Sequence, residues 1–257
     1  MRQAKIYNYQ TFTDDFVVNK NQDYQLAADY SWSPPEKSVR VKSSIVNLFA
    51  RLASFAYYHC WARPTIVNRQ LLQDYPAGGF LYANHTQPQG DAFIPYHLFH
   101  RKPINFLVSA ANLGIPGLGR WLPYGGVLPI PQTLHQFGCL NKEIYRRIAD
   151  KQIVLIYPEA HVWPYYTKIR PLPLASFHYP ISAKVASFCM TTTYQKSRWR
   201  KRPHMTIYID GPFYPQTELT VKQQQAQLRD EIAACMTKRS QASNVDYIQY
   251  RQVEDEN

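Results

Sequence analysis

Apolar residues along this chain fall either in short dense runs or at helical spacing, and the two kinds alternate in the manner of an α/β protein. After the break at Gly78-Gly79, the run Phe80 to Ala83 reads as a short buried strand. Ile104 to Ser109 reads as another, and the aliphatic run Ile153 to Tyr157 as a fully buried central one. Between them, Leu134 to Asp150 places Leu140, Ile144 and Ile148 on neighbouring helical faces. Phe188 to Tyr194 and Met205 to Ile209 read as strands bracketing a basic turn, and Val221, Leu228, Ile232 and Cys235 mark a late helix. The pattern predicts a single α/β domain over residues 39–240, with a mixed, mostly parallel central sheet flanked by helices. Residues 1–38 are Tyr-rich and polar and end in Ser33-Pro34-Pro35, which suggests an extended N-terminal arm. Residues 241–257 form a C-terminal tail with little to bury.

The stretch Ile45 to Tyr58 is apolar but interrupted by Arg51, and it is shorter than the roughly 20 residues a bilayer crossing requires. It reads either as a helix lying on a membrane, with Arg40, Lys42 and Arg63 toward the headgroups, or as a helix packed on the core.

Charge sharpens the choice of partners. Twenty-nine Lys and Arg against 18 Asp and Glu give +11, and the excess gathers in Lys196-Ser197-Arg198-Trp199-Arg200-Lys201-Arg202. Such a segment is either a solvated hairpin or an attractor of polyanions, among them an anionic bilayer, nucleic acid or the phosphates of coenzyme A. The four Cys, at 60, 139, 189 and 235, share no short spacing and form no metal or redox motif, so they read as small buried hydrophobes in a reducing compartment. Met1 to Lys5 is followed by polar and acidic residues, without the pattern of a secretory signal.

The candidate chemistry lies at the end of the first buried strand, in Asn84-His85-Thr86-Gln87-Pro88-Gln89-Gly90-Asp91. Asp91 precedes the apolar stretch Ala92 to His100 and is expected to cap a helix there. A strand end followed by a helix start is where α/β proteins place their sites. There, a His can take a proton from a hydroxyl while an Asp fixes its tautomer. The second block, Ile153 to Glu159, delivers a carboxylate at the end of the central strand. His97 and His100 stand at helical spacing and could hold a metal with Asp91, but no third strong ligand accompanies them, so no metal is expected. No phosphate-binding loop, dinucleotide fingerprint or Gly-X-Ser-X-Gly elbow occurs.

Together these blocks resemble the glycerolipid acyltransferase family, the lysophosphatidic acid acyltransferase superfamily. Its signatures are Asn-His, four residues and Asp, then a Gly- and Pro-rich segment, then an aliphatic strand ending Phe-Pro-Glu-Gly. The segment Gly114 to Ile130 looks like the middle one, and the resemblance covers roughly residues 75–212. It implies an acyltransferase-like fold and direct transfer of a fatty acyl group from acyl-coenzyme A or acyl-carrier protein to a lysophospholipid or other glycerolipid hydroxyl. In that reading His85 is the general base, Asp91 orients it, and Glu159 positions the acceptor. No cofactor beyond the acyl thioester is implied. The setting would be the cytoplasmic side of the cell membrane, with peripheral contact to anionic lipid.

This chain departs from the family pattern at three points. Five residues separate His85 from Asp91, so the loop must bulge by one. Pro131-Gln132 and Ala160-His161-Val162 stand where the family has the basic residues that hold the acceptor phosphate. Arg120, Lys168 or Arg170 could supply the missing charge, though the last two could equally lie on a solvated face. A second expectation, from another class, is nucleic-acid binding by the 196–202 cluster with Trp199 as a stacking platform. It explains the charge but leaves His85, Asp91 and Glu159 without a role, so nucleic acid is not the favoured partner.

Overall fold

The two buried strands at the centre of the sequence pattern are also central in space. A computed structural model describes residues 5–17, 23–33, 36–99 and 103–253. Strand β1 (Lys5–Tyr9) is followed by helix α1 (Glu36–Phe55), β2 (Thr65–Val67), α2 (Gln70–Gln73), β3 (Gly79–Ala83) and α3 (Gly90–Leu98). Next come β4 (Ile104–Ser109), β5 (Val127–Ile130), α4 (Leu134–Ala149) and β6 (Ile153–Ile156). The chain then forms α5 (His178–Ala183), β7 (Ser187–Gln195), β8 (His204–Phe213), α6 (Val221–Ser240) and β9 (Ile248–Gln252).

Seven strands form one sheet in the order β2-β8-β7-β3-β6-β4-β5, with every pairing parallel except β7 with β8. The period-two alternation of strand side chains divides the core between the two faces. Phe80, Tyr82, Val154 and Ile156 point to one side, with Leu140, Ile144, Leu228 and Ile232. Leu81, Ala83, Ile153 and Leu155 point to the other, with Ile94 and Leu98. Every residue of β3 and β6 is buried, which is why both read as unbroken apolar runs.

Two expectations about the ends of elements change. The helix after the first block begins at Gly90, preceded by Gln89, so Asp91 sits in its first turn and does not cap it. The terminal segments, expected to stand apart, pair with each other: β1 and β9 form a parallel two-stranded sheet. Tyr250 of β9 stacks on the buried Trp163 at 5.0 Å, and Tyr9 and Phe16 close around the same indole. β2 was not foreseen either, because three residues give too short a pattern.

Helix α1 runs from Glu36, earlier than the 45–58 stretch suggested, and continues into a π-helical stretch at Ala56–Ala62. Its inner side includes the buried Ser54, which donates to the carbonyl of Phe93. Its large side chains point outward: Val41, Ile45, Leu48, Phe49, Leu52 and Phe55 are each about half exposed or more. No described helix is long and apolar enough to cross a membrane.

Candidate active site

β3 and β6 are adjacent and in register, Tyr82 opposite Ile156, so the segments leaving their C-terminal ends emerge side by side. One carries Asn84 and His85, the other Tyr157, Pro158 and Glu159. Asn84 continues the strand by proxy: its side chain donates to the carbonyl of Thr192 and accepts from the Thr192 amide, at 3.0 and 2.8 Å. That anchors the loop to β7 at its first residue.

The imidazole of His85 is held by its Nδ1, which lies 2.7 Å from a carboxylate oxygen of Asp91. The same oxygen accepts from the amide of Gln87 at 2.9 Å. The extra residue between His85 and Asp91 is thus folded into a turn closed by the Asp91 carboxylate itself. A Cβ at Gly90 would stand 2.1 Å from the Gln87 side-chain oxygen, so a larger residue there would have to displace that amide. Asp91 is 2% exposed and His85 19% at its side chain, so the pair is dry on one side and open on the other. His85 Nε2 makes no hydrogen bond to any described residue, and no Ser, Thr or Cys is paired with it.

Tyr157 fixes both partners. Its ring stacks on His85 with centroids 4.3 Å apart, and its hydroxyl donates to the backbone carbonyl of Asp91 at 2.8 Å. That carbonyl lacks its usual helical donor because residue 95 is proline, which has no N–H. Tyr58 does similar work for the carbonyl of Gly90 at 2.8 Å. Burial, and then the charge of Asp91, push the hydroxyls of Tyr58 and Tyr157 well above their usual range, so both remain donors.

Glu159 is also buried, and both its oxygens are occupied. One accepts from the amide of His85 and from the Arg170 guanidinium, each at 3.1 Å; the other accepts from the Arg170 amide at 2.9 Å. The Arg170 guanidinium lies 4.8 Å over the Trp163 ring and donates to the carbonyls of Phe12 and His161. The structure therefore brings Glu159 and Arg170 to the His85 loop, but as a buried pair that clamps the His85 backbone, with their charges spent on each other. Lys168 and Arg120 are exposed and make no hydrogen bond or ion pair with the loop; Arg120 lies 5.4 Å over Trp121. His97 packs on Tyr58 and His59, and His100 lies outside the described residues.

Two features escaped the sequence reading. The carbonyls of His85 and Thr86 accept from the amides of Trp163 and Tyr165 at 3.0 and 2.9 Å, so the segment after Glu159 props the loop from below. Nothing in the sequence but the aromatic density of 163–166 hinted at it. Separately, Cys189, Cys235 and Asp210 come together with their ligand atoms within 4.8 Å, because β7 packs on α6. Arg239 already sets its guanidinium on Asp210, with Nε at 2.9 Å, where a cation would otherwise sit. The bond to Cys235, and burial, push the Cys189 thiol well up.

Beside the loop opens a cleft of about 440 Å³. Gln87 and Pro88 form one wall, Tyr57 and Trp61 of the π-helical stretch another, and Arg200, Lys201 and Arg202 a third. The 196–202 segment is thus no free hairpin: Arg200 donates to the carbonyl of Trp61 at 3.2 Å, and the Arg202 guanidinium lies 4.0 Å over the Trp61 ring.

No family model matches the chain, and no curated protein matches it in sequence. Its fold is shared with a solved structure, that of the 1-acyl-sn-glycerophosphate (LPA) acyltransferase PlsC from Thermotoga maritima. The two superpose with a TM-score of 0.55 over 82% of this chain and 84% of the other, at 12% identity.

Proposed function

We propose that this protein is an O-acyltransferase, moving a fatty acyl group from an acyl thioester of coenzyme A or carrier protein to a hydroxyl of a lysophospholipid or related glycerolipid. The observation that carries the reading is the dyad: Asp91 holds a part-exposed His85 by Nδ1, which leaves Nε2 without a hydrogen-bond partner among the described residues. That is the arrangement of a general base waiting for a substrate proton. With no side-chain nucleophile paired to it, transfer is direct. His85 Nε2 takes the acceptor's hydroxyl proton and the alkoxide attacks the thioester carbonyl. The tetrahedral intermediate then collapses by breaking the C–S bond, and His85 returns the proton to the departing thiolate. Asp91 keeps the lone pair on Nε2 and stabilises the transient imidazolium. The shared fold with a lysophosphatidic acid acyltransferase supports the same substrate class.

The outward apolar stripe of α1 supports work at a membrane surface, since a monomer rarely leaves such a patch to water. We place the enzyme peripherally on an anionic, cytoplasmic membrane face, with the exposed Arg40 and Lys42 toward headgroups.

The test is lipid mass spectrometry after incubation with acyl-coenzyme A or acyl-carrier protein and a panel of lysophospholipids and neutral glycerolipids. A diacyl product whose formation requires protein and thioester supports the reading. Thioester hydrolysis alone, or copurified nucleic acid with no lipid product, counts against it.

A further inference from the structure

Of the four cysteines, Cys60 and Cys139 stand exposed, and the other two meet. The period of two along β7 turns Cys189 to the face that packs on α6, where it is fully buried in one cluster with Leu228, Ile232 and Met236. Helical spacing from Leu228 and Ile232 puts Cys235 at the edge of the same stripe, close enough to Cys189 to touch it and still partly exposed to solvent. The two sulfurs are no more than 4.8 Å apart. A disulfide at about 2.05 Å asks them to close by at most about 2.8 Å, the scale of one side-chain rotation. The neighbours are those of a reactive thiol. The register shift between Ser187 and Cys189 sets Asp210 of β8 opposite Cys189, and Arg239, one turn beyond Cys235 on α6, holds that Asp210 with Nε at 2.9 Å. A guanidinium therefore lies beside the sulfur pair. The hydrogen bond from Cys189 pulls the Cys235 thiol below its ordinary value despite burial, and the same bond pushes Cys189 up.

We propose that Cys189 and Cys235 are a redox-sensitive dithiol, which a hydroperoxide converts to a disulfide bridging β7 and α6 and a dithiol reductant restores. Exposure assigns the order of events. Cys235, the reachable sulfur, attacks the terminal oxygen of the hydroperoxide as the thiolate: the S–O bond forms, the O–O bond breaks, and the departing alkoxide takes up a proton. Cys235 becomes a sulfenic acid, oxidised by two electrons, and the hydroperoxide is reduced to the alcohol. Cys189 then loses its proton and attacks the Cys235 sulfur; the S–S bond forms, the S–O bond breaks, and hydroxide leaves with that proton as water. A dithiol reverses this through a mixed disulfide and is itself oxidised to a disulfide. In a reducing compartment such a bond is transient, which suits a sensor and not a structural staple. The bond would join α6 to the strand that holds the His85 loop, since Thr192 of β7 pairs with Asn84 and Tyr194 of β7 bonds Ser243 and Asn244 just past α6. The pairing is invisible in the chain because the partners come from a strand and a helix far apart in sequence. It stands whether or not the protein transfers acyl groups.

The test uses the full chain carrying Cys60→Ser/Cys139→Ser, which removes the two exposed thiols. The protein is treated with hydrogen peroxide, its remaining thiols are alkylated in denaturant, and the mass is measured. The mass should fall by two hydrogens with neither cysteine alkylated, one digest fragment should join Cys189 to Cys235, and a dithiol reductant should restore both thiols. The unfolding midpoint of the oxidised form should rise by roughly 5 °C or more, because the bond closes a long loop in the unfolded chain. With Cys189→Ala added, Cys235 has no resolving partner and should gain oxygen instead. Two alkylatable thiols after peroxide treatment overturn the proposal. So does a midpoint lowered by oxidation, which would mean that the bond forms only by distorting the fold. One equivalent of zinc held by the reduced protein and lost in Cys235→Ser also overturns it, by making the cluster with Asp210 a metal centre.

Discussion

Tyr157 lies nearly flat on His85, 4.3 Å away, while its hydroxyl supplies Asp91 with the hydrogen bond that Pro95 withholds. One side chain at the end of β6 therefore touches both His85 and Asp91. Tyr157→Phe keeps the stack but strands a buried carbonyl, at a cost of about 1–3 kcal/mol. Pro95→Ala in that background returns an N–H to the helix and should recover part of the loss. A double-mutant cycle on urea midpoints checks this, and strictly additive effects would show that the two positions are not coupled.

The pair of Glu159 and Arg170 is expected to matter through position. Removing Arg170 leaves a buried carboxylate with two backbone amides and no counter-charge, so Arg170→Ala should destabilise the fold by about 3–5 kcal/mol. Glu159→Gln should cost less, because its amide oxygen can still accept from one of the two backbone amides, but its NH2 then faces the other N–H, so turnover should fall as the loop loosens. Calorimetric midpoints and kcat, measured together, check the ordering.

Glu143 on α4 sets an acid limit. Burial alone would raise its pKa, but hydrogen bonds from Arg146, Ser33 and Arg147 hold it at about 2, below the ordinary Glu value of 4.5. A depressed carboxylate contributes stability above its unfolded pKa and loses that contribution as pH falls through the folded one. On this basis Glu143 contributes on the order of 3 kcal/mol at neutral pH, lost between roughly pH 4.5 and pH 2. Glu143→Gln should lower stability at pH 7 and flatten the acid limb; an unchanged acid limb would contradict this.

How much of this was visible in the sequence depended on whether a signal was local. Phe80 to Ala83 and Ile153 to Ile156 are buried on both faces, so their runs were legible, and the parallel sheet followed from their alternation with helices. The pairing of His85 with Asp91 was legible because both lie on one turn. The occupancy of Glu159 by Arg170 was not, since it depends on how the 160–170 segment folds back beneath the loop. The same holds for the pairing of β1 with β9, which joins the two ends of the chain. Composition places no Tyr250 on Trp163. The outward face of α1 could not be read either, because an apolar stripe looks alike whether it faces a core or a membrane.

That stripe predicts membrane binding in a form that can fail. Vesicles containing anionic lipid should sediment the protein, and Phe49→Asp/Leu52→Asp should abolish this without shifting the unfolding midpoint, since both side chains are more than half exposed. Added salt should weaken the residual attraction to anionic vesicles. Retained binding by the double variant would remove α1 from the contact.

His85, held by Asp91, is the proposed general base of acyl transfer. Its most direct test is the rate of acyl transfer from acyl-coenzyme A to lysophosphatidate by wild type and His85→Ala, each shown folded by its unfolding midpoint. The variant should lose roughly 100-fold or more with its fold intact, the scale of losing a general base. A folded His85→Ala protein that transfers acyl groups at the wild-type rate would contradict it.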